Sequence, residues 1–447
     1  MTSDAAPSRG ASTLTSIVRW LVVVIPMAFV VGSSVTLFLW LLDEATAVRI
    51  AHPWLLWLLP VGGAVVGWLY LRWGHSSDQG TRLIIDEMHQ PGGGIPARMA
   101  PLVLFGTLVT HLFGGSAGRE GTALQMGGSL ASTFERRVLR RFNFKVVQFS
   151  QVERRELLQA GMAAGFGAVF GTPITGAVFA LEVLSVRRFG WVAIFPCLLA
   201  AFIGNWSVAL WGVHHTIYPR LSLAQFGLPP IDAPTLLKVV AAAAAFGIIA
   251  RLFLACAHGV STLATRSIRV PWLRPFVGGC IVIALVFVVG SSDYLGLGII
   301  GPAGHVSIVS SFEDADIPRF AWLLKLIFTT VTVGSGFKGG EVTPLFFLGA
   351  TLGNAIASVL HAPIPLFAAL GFVAVFGAAA KTPIACTIMG CELFGVDAAF
   401  YIAVACGLAF VCSGRQSLYA THRATPTSDG NDRQHWPNAK DPPQPGG

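Results

Sequence analysis

The chain has 447 residues, 54% hydrophobic and 12% charged, with a mean hydropathy of +0.67, and is too apolar for a soluble fold to bury behind a polar surface. Its formal charge of +8 comes largely from bases gathered in short connections: Arg136, Arg137, Arg140, Arg141 and Lys145, then Arg154 and Arg155, then Arg187 and Arg188. This placement argues against a nucleic-acid-binding face and puts those connections in the cytoplasm by the positive-inside rule.

A hydrocarbon core about 30 Å thick needs roughly 20 apolar residues per spanning helix. Residues 1–15 are polar and Ser-rich and read as a disordered cytoplasmic N-terminus. The first apolar run, 16–42, has no small-residue cleavage site and is followed by near-continuous apolar segments, so it reads as a retained helix and not a signal peptide. Further runs fall at 54–72, 99–114, 158–184 and 191–213. A second series follows at 235–257, 275–290, 318–333, 343–360, 364–379 and 383–413. The expected fold class is an all-α polytopic membrane protein. From about Ala420 the chain is rich in Pro, Asp, Asn and Gly without apolar period, which predicts a disordered tail over 420–447 and no regulatory domain at either end.

Fifty glycines exceed the soluble average of about 7%, and many lie inside apolar runs, where they permit close helix contacts or broken helices. The seven cysteines, Cys197, Cys256, Cys280, Cys386, Cys391, Cys406 and Cys412, lie mostly in apolar runs and form no CxxC pair. They read as core-packing thiols.

Two segments repeat. Glu120, Thr122, Leu124 and Gly128 in GREGTALQMGG are matched by Glu341, Thr343, Leu345 and Gly349 in GGEVTPLFFLG. Downstream, FGTPITGAVFALE is matched by AKTPIACTIMGCE, each with a glutamate ten residues past the threonine. Two matches in the same order indicate an internal duplication, with repeats at about 16–215 and 235–419 inside a transport domain of 16–419. Paired Gly-interrupted apolar segments in such repeats point to the binding site of an inverted-repeat transporter. The site is therefore expected where the Glu120 and Glu341 segments meet.

Each matched segment is a glycine-rich turn entering an apolar run, so the first N–H groups of a helix are left to face the midplane. That is an anion site. A carboxylate at this depth, Glu120, is a functional candidate by default: ionised it occupies the anion site, and protonated it releases it. A plain helix-start carboxylate stabilised by the dipole is the other reading. Glu341 with Thr343 is either a helix cap or a second functional pair, and Tyr419 is either an interfacial anchor or a phenol donor to the pore. A membrane-embedded enzyme would need a nucleophile or metal constellation in the apolar runs, and these are read as carrying neither a G-x-S-x-G nor an HExxH string. No cofactor is expected.

GREGT, GFKGGEVTP and SGRQSLYATH resemble the CLC anion-transport superfamily, and the middle motif resembles its fluoride-specific bacterial branch. The resemblance covers about 16–420. Chloride-type members carry a GREGP-like motif and a phenylalanine-bearing GxFxP motif, where this chain has Thr122 and Glu341-Val-Thr343-Pro. The resemblance implies a fold of many tilted and broken helices and a homodimer, with one pathway per subunit, in the lipid of the bacterial inner membrane. It implies fluoride exchanged for protons, with Glu120 as the gating residue, Glu341 and Thr343 as the distinctive pair, and Tyr419 at a central site. Gly118, Arg119 and Gly121 are then anion-binding residues, and Thr81 takes the central-site serine position. GGGIP, ending at Pro96, imitates the motif of that serine but lies too close to Glu120. Val183, after Glu182, replaces the internal proton-relay glutamate of chloride exchangers. The alternative within the same superfamily is a chloride/proton exchanger or voltage-gated-type chloride channel.

Overall fold

The computed structural model describes residues 9–89, 94–139, 150–184, 191–300, 304–313 and 316–419. Among these residues there are sixteen α-helices and no strand. The first half of the chain forms α1 (Arg9–Ala51), α2 (Leu59–Leu69), α3 (Thr81–His89), α4 (Met99–Leu112), α5 (Glu120–Phe134), α6 (Gln151–Phe170), α7 (Pro173–Glu182) and α8 (Ile194–Leu210). The second forms α9 (Ala233–Ser267), α10 (Leu273–Val289), α11 (Ser310–Glu313), α12 (Ala321–Gly334), α13 (Val342–Leu360), α14 (Ile364–Ala380), α15 (Pro383–Phe394) and α16 (Ala399–Cys412).

Four segments are long and apolar enough to cross a membrane: Ser16–Ala51, Pro53–Gly74, Ala233–Ser267 and Val342–Leu360. The other apolar helices are shorter, and two of the long apolar runs are broken internally. The run at 158–184 is two helices, α6 and α7, separated by Gly171 at φ 75° and then Thr172-Pro173. Proline is favourable at a helix start, where its missing N–H has no intrahelical acceptor to serve. The run at 383–413 likewise divides into α15 and α16, with Gly395 at φ 95° after α15. In contrast, α1 begins at Arg9, before the expected residue 16. Residues 11–16 contain no Pro or Gly, and propagation from a formed apolar helix needs no new nucleus. The tail expected from 420 to 447 lies outside the described residues.

Close packing falls at glycines. A Cβ on Gly349 of α13 would lie 2.0 Å from the Gly371 carbonyl oxygen of α14, and one on Gly127 of α5 would lie 2.2 Å from that of Gly161 on α6. Small residues let helix backbones touch where lipid supplies no hydrophobic drive for association. The cysteines divide differently from expectation: Cys197, Cys386 and Cys406 are buried, Cys256 and Cys391 partly so, and Cys280 and Cys412 are exposed. An apolar run alone does not tell the protein-facing side of a membrane helix from its lipid-facing side, since both are apolar.

The described residues of the basic connections gather at one face; Arg140, Arg141, Lys145, Arg187 and Arg188 lie outside the described residues. Arg19 pairs with Glu153, Arg154 lies 3.5 Å from Glu135, and Arg136 donates to the Ile95 carbonyl. This is the cytoplasmic face by charge. The C-terminal ends of α1, α6 and α8, with Arg49 and the connection that holds His215, lie at the opposite, outer face.

Candidate functional site

α5 and α13 start opposite each other. Their preceding turns are joined by two reciprocal backbone bonds, Gly118 N–H to the Gly340 oxygen at 2.5 Å and Gly340 N–H to the Gly118 oxygen at 2.6 Å. A Cβ on Gly340 would lie 2.9 Å from the Gly121 nitrogen, so this approach requires glycine. The bridge also corrects the expected role of Gly118: its N–H is already donated to Gly340 and does not face an anion.

Glu120 opens α5 and is 1% exposed. Its carboxylate accepts from the Thr343 hydroxyl at 2.6 Å, the Thr343 N–H at 3.1 Å and the Arg119 N–H at 3.1 Å. The Arg119 Nε lies 3.7 Å from Oε1. These donors, from both halves of the chain, converge on the two carboxylate oxygens. Glu341 is the residue before α13, yet its side chain makes no cap hydrogen bond; the capping reading of this glutamate is thereby removed. Its partner in sequence, Thr343, serves Glu120 across the two halves.

Three spaces lie in series along this line. An outer cavity of about 400 Å³ is lined by Asp43, Arg49, Arg119, Thr216, Asp293 and Ile299, among others. Arg119, Thr216 and Ile299 also line a small cavity of about 20 Å³, which holds Glu120, Thr343, His215, Tyr218 and Phe346 in its wall. On the cytoplasmic side a cavity of about 600 Å³ is bounded by Thr81, Arg82, Gly121, Lys338, Glu341 and Tyr419, with further residues of the same segments. Glu120 thus sits between an outer and an inner space.

Thr81 and Tyr419 come together in the inner cavity, although Thr81 starts α3 and Tyr419 follows α16. Tyr419 is placed by its neighbours: Leu418 N–H donates to the Ala379 oxygen at 2.8 Å, and Lys381 holds Ser413 and Gly414 at the end of α16. Its ring meets Phe179 edge-on at 6.0 Å, and its hydroxyl oxygen is buried without a protein partner. The described end of the GGGIP segment, Gly94 to Pro96, lies elsewhere. Residues 91–93 are outside the described ones, but Ile95 and Pro96 are bonded to Ser132 and Ser129 near the cytoplasmic end of α5.

The second repeated motif has a purpose that sequence reading missed. Glu182, at the end of α7, accepts from the N–H groups of Ile384 and Ala385 at 3.1 and 2.7 Å, at the start of α15. Glu392 of α15 accepts from Ile174 and Thr175 N–H at 3.0 and 2.8 Å, at the start of α7. Each half's glutamate caps the other half's helix. Glu182→Ala or Glu392→Ala is expected to destabilise the purified protein by about 1–3 kcal/mol for the N–H groups left unsatisfied, read as a lower unfolding temperature in detergent. Wild-type stability of both variants would show that those N–H groups find other acceptors.

Lys338, Arg82 and His215 were also missed as lining residues. Lys338 pairs with Asp78 and lies 4.3 Å from the Tyr70 ring centroid, which fixes the GFKGG turn; its position inside that motif was the available signal. One serine string was also passed over: Gly114–Gly118 is a nominal G-x-S-x-G. It is no nucleophile elbow. Ser116 Oγ is hydrogen-bonded to Thr329 Oγ1 at 2.9 Å, and both ring nitrogens of the neighbouring His111 face carbonyl oxygens, of Thr107 and Ala117, at 2.8 and 3.0 Å.

Residues 62–414 match the family described as voltage gated chloride channel. The chain is 43% identical over 424 residues to a chloride/fluoride channel protein of Pseudomonas syringae, covering 95% of this chain and 89% of that one. It is 24% identical over 311 residues to an H(+)/Cl(-) exchange transporter of Vibrio cholerae, covering 66% and 62%. Its fold superposes on the crystal structure of a CLC-type fluoride/proton antiporter with a TM-score of 0.82 at 32% identity, covering 90% of this chain and 97% of that one. The chain is a multi-pass integral membrane protein and belongs to the voltage gated chloride channel, or CLC, family.

Proposed function

We propose that the protein exports fluoride in exchange for protons, as a homodimer in the membrane, with Glu120 alternating between anion mimic and proton carrier. The observation that carries this reading is the set of donors around the Glu120 carboxylate. Two N–H groups and one hydroxyl converge within 3.1 Å at the junction of an outer and an inner cavity. When Glu120 is protonated, its charge and most of its hold on those donors are lost. Fluoride then takes them. Fluoride is small and strongly hydrated, and several close donors are needed to replace its water. Thr343 supplies two of the three, its hydroxyl being the donor that this residue type adds. The names of the Pseudomonas relative and of the superposed antiporter, both of which mention fluoride, support the same reading.

The deciding experiment reconstitutes the full chain in liposomes and records fluoride efflux and pH together, with chloride as the competing anion. Fluoride efflux coupled to proton uptake is expected. Chloride movement at the same rate as fluoride would overturn the fluoride assignment, and fluoride movement with no uphill proton movement would overturn the exchange mechanism.

Thr343 and Tyr419 are not equivalent in this scheme. Thr343→Ala is expected to raise the half-saturating fluoride concentration about tenfold, the loss of one charge-assisted hydrogen bond. Tyr419→Phe is expected to shift it less, because its hydroxyl touches none of the Glu120 donors. Both variants should elute at the wild-type size. Wild-type fluoride affinity in both would remove the two hydroxyls from the pathway.

A further inference from the structure

One side chain at the junction serves neither the gate nor the contact between halves. His215 lies on the outer connection between α8 and α9 and lines the cavity of about 20 Å³ with Arg119, Glu120 and Tyr218. Its Nε2 is buried and meets no protein hydrogen-bond partner. A buried polar atom left in this way is costly unless something else pairs with it. The ring is seated by packing. A Cβ on Gly171, which ends α6 at φ +75°, would fall 2.6 Å from the His215 Cδ2, so glycine at this left-handed position leaves room for the imidazole. A cavity of this size admits one water-sized body, and fluoride is about that size. Arg119 and Thr216 border both this cavity and the outer one, which places the cavity on the route between the outer space and Glu120.

We infer that His215 donates an N–H to an anion held in this small cavity beside Arg119, an outer station where fluoride waits while the Glu120 carboxylate occupies its own donors. The inference rests on the fluoride-exchange reading above. A neutral imidazole is sufficient in the tautomer that carries its proton on Nε2, the atom without a protein partner. The Arg119 guanidinium, 3.7 Å from the Glu120 carboxylate, offsets the repulsion between that carboxylate and a waiting anion. Protonation of Glu120 then opens the inner donors to the ion already beside them.

The test compares His215→Leu and His215→Gln as full-length protein in liposomes, with fluoride efflux measured over a range of fluoride concentrations and protons recorded in parallel. Wild type is measured first. If wild-type liposomes move no fluoride, the exchange reading fails and the station falls with it; if wild type exchanges normally, the variants judge the station alone. His215→Leu is expected to raise the half-saturating fluoride concentration about tenfold, the worth of one hydrogen bond to an ion, with an unchanged proton-to-fluoride ratio. His215→Gln keeps an amide N–H at similar reach and is expected to stay within about twofold of wild type. Wild-type half-saturation in His215→Leu would overturn the station. Equal impairment of Gln and Leu would overturn it too, as would a lost proton ratio at unchanged half-saturation, since both point to titration of the ring in place of an N–H donor. Should His215→Leu not elute as a folded protein, His215→Ala takes its place and is read by the same outcomes.

Discussion

Glu120→Ala protein in liposomes is expected to pass fluoride down its gradient while driving no protons uphill, so that the proton-to-fluoride ratio falls from a fixed value to zero. The carboxylate is held by donors from both halves of the chain, Arg119 N–H on one side and Thr343 N–H and hydroxyl on the other. Alanine leaves those donors to the anion at all times. It has nothing to protonate, so anion and proton fluxes lose their common step. Glu120→Gln separates the two functions of the side chain: the amide fills the same volume and retains one acceptor oxygen, but carries no titrating proton. It is expected to lose coupling as completely as alanine while conducting fluoride more slowly, because the plug remains. Uphill proton movement driven by a fluoride gradient in Glu120→Ala liposomes, at the wild-type ratio, would end the gating assignment.

Glu341→Gln is expected to lose most fluoride flux without losing its fold. A solvated helix-start side chain that caps its helix contributes about 1 kcal/mol, too little to stop transport in a protein that otherwise folds. Here even that contribution is missing, since the Glu341 side chain makes no hydrogen bond to the first turn of α13. Glu341 instead lines the inner cavity with Arg82, Lys338 and Tyr419, two residues before the Thr343 that binds Glu120. A carboxyl group at the pathway wall, uncommitted to its own helix, fits a part in moving protons or holding the inner route open. The measurement purifies Glu341→Gln, establishes a wild-type elution profile and unfolding temperature, and then records fluoride efflux. Near-wild-type efflux from the folded variant would take Glu341 out of the mechanism and favour the chloride-type alternative.

Much of this architecture is legible in the linear sequence, for reasons that are local. Apolar runs about as long as the bilayer core specify membrane helices, and clustered arginines specify which face is cytoplasmic, because both depend on solvation and not on partners. The glycine turn before an apolar run marks a helix start with free N–H groups, so Glu120 and Glu341 are visible as paired candidates once the repeat is noticed. Helix breaks are less legible: Gly171 and Lys381 both end helices in the left-handed conformation, yet they sit in runs whose hydropathy continues across them.

Tertiary structure alone decided who meets whom. Thr343 and Glu120 are 223 positions apart, and no local period relates a hydroxyl in one motif to a carboxylate in the other. The crossed caps of Glu182 and Glu392 are a similar case. Each glutamate was read within its own repeat, but its acceptor oxygens face a helix start more than 200 positions away. The committed N–H of Gly118, the uncapped side chain of Glu341 and the placement of His215 beside Glu120 follow from how the two halves dock. The physical reason is that sequence records which groups are available for hydrogen bonding, whereas the closed set of backbone and side-chain bonds, fixed by packing at glycines such as Gly340 and Gly349, determines which remain unpaired.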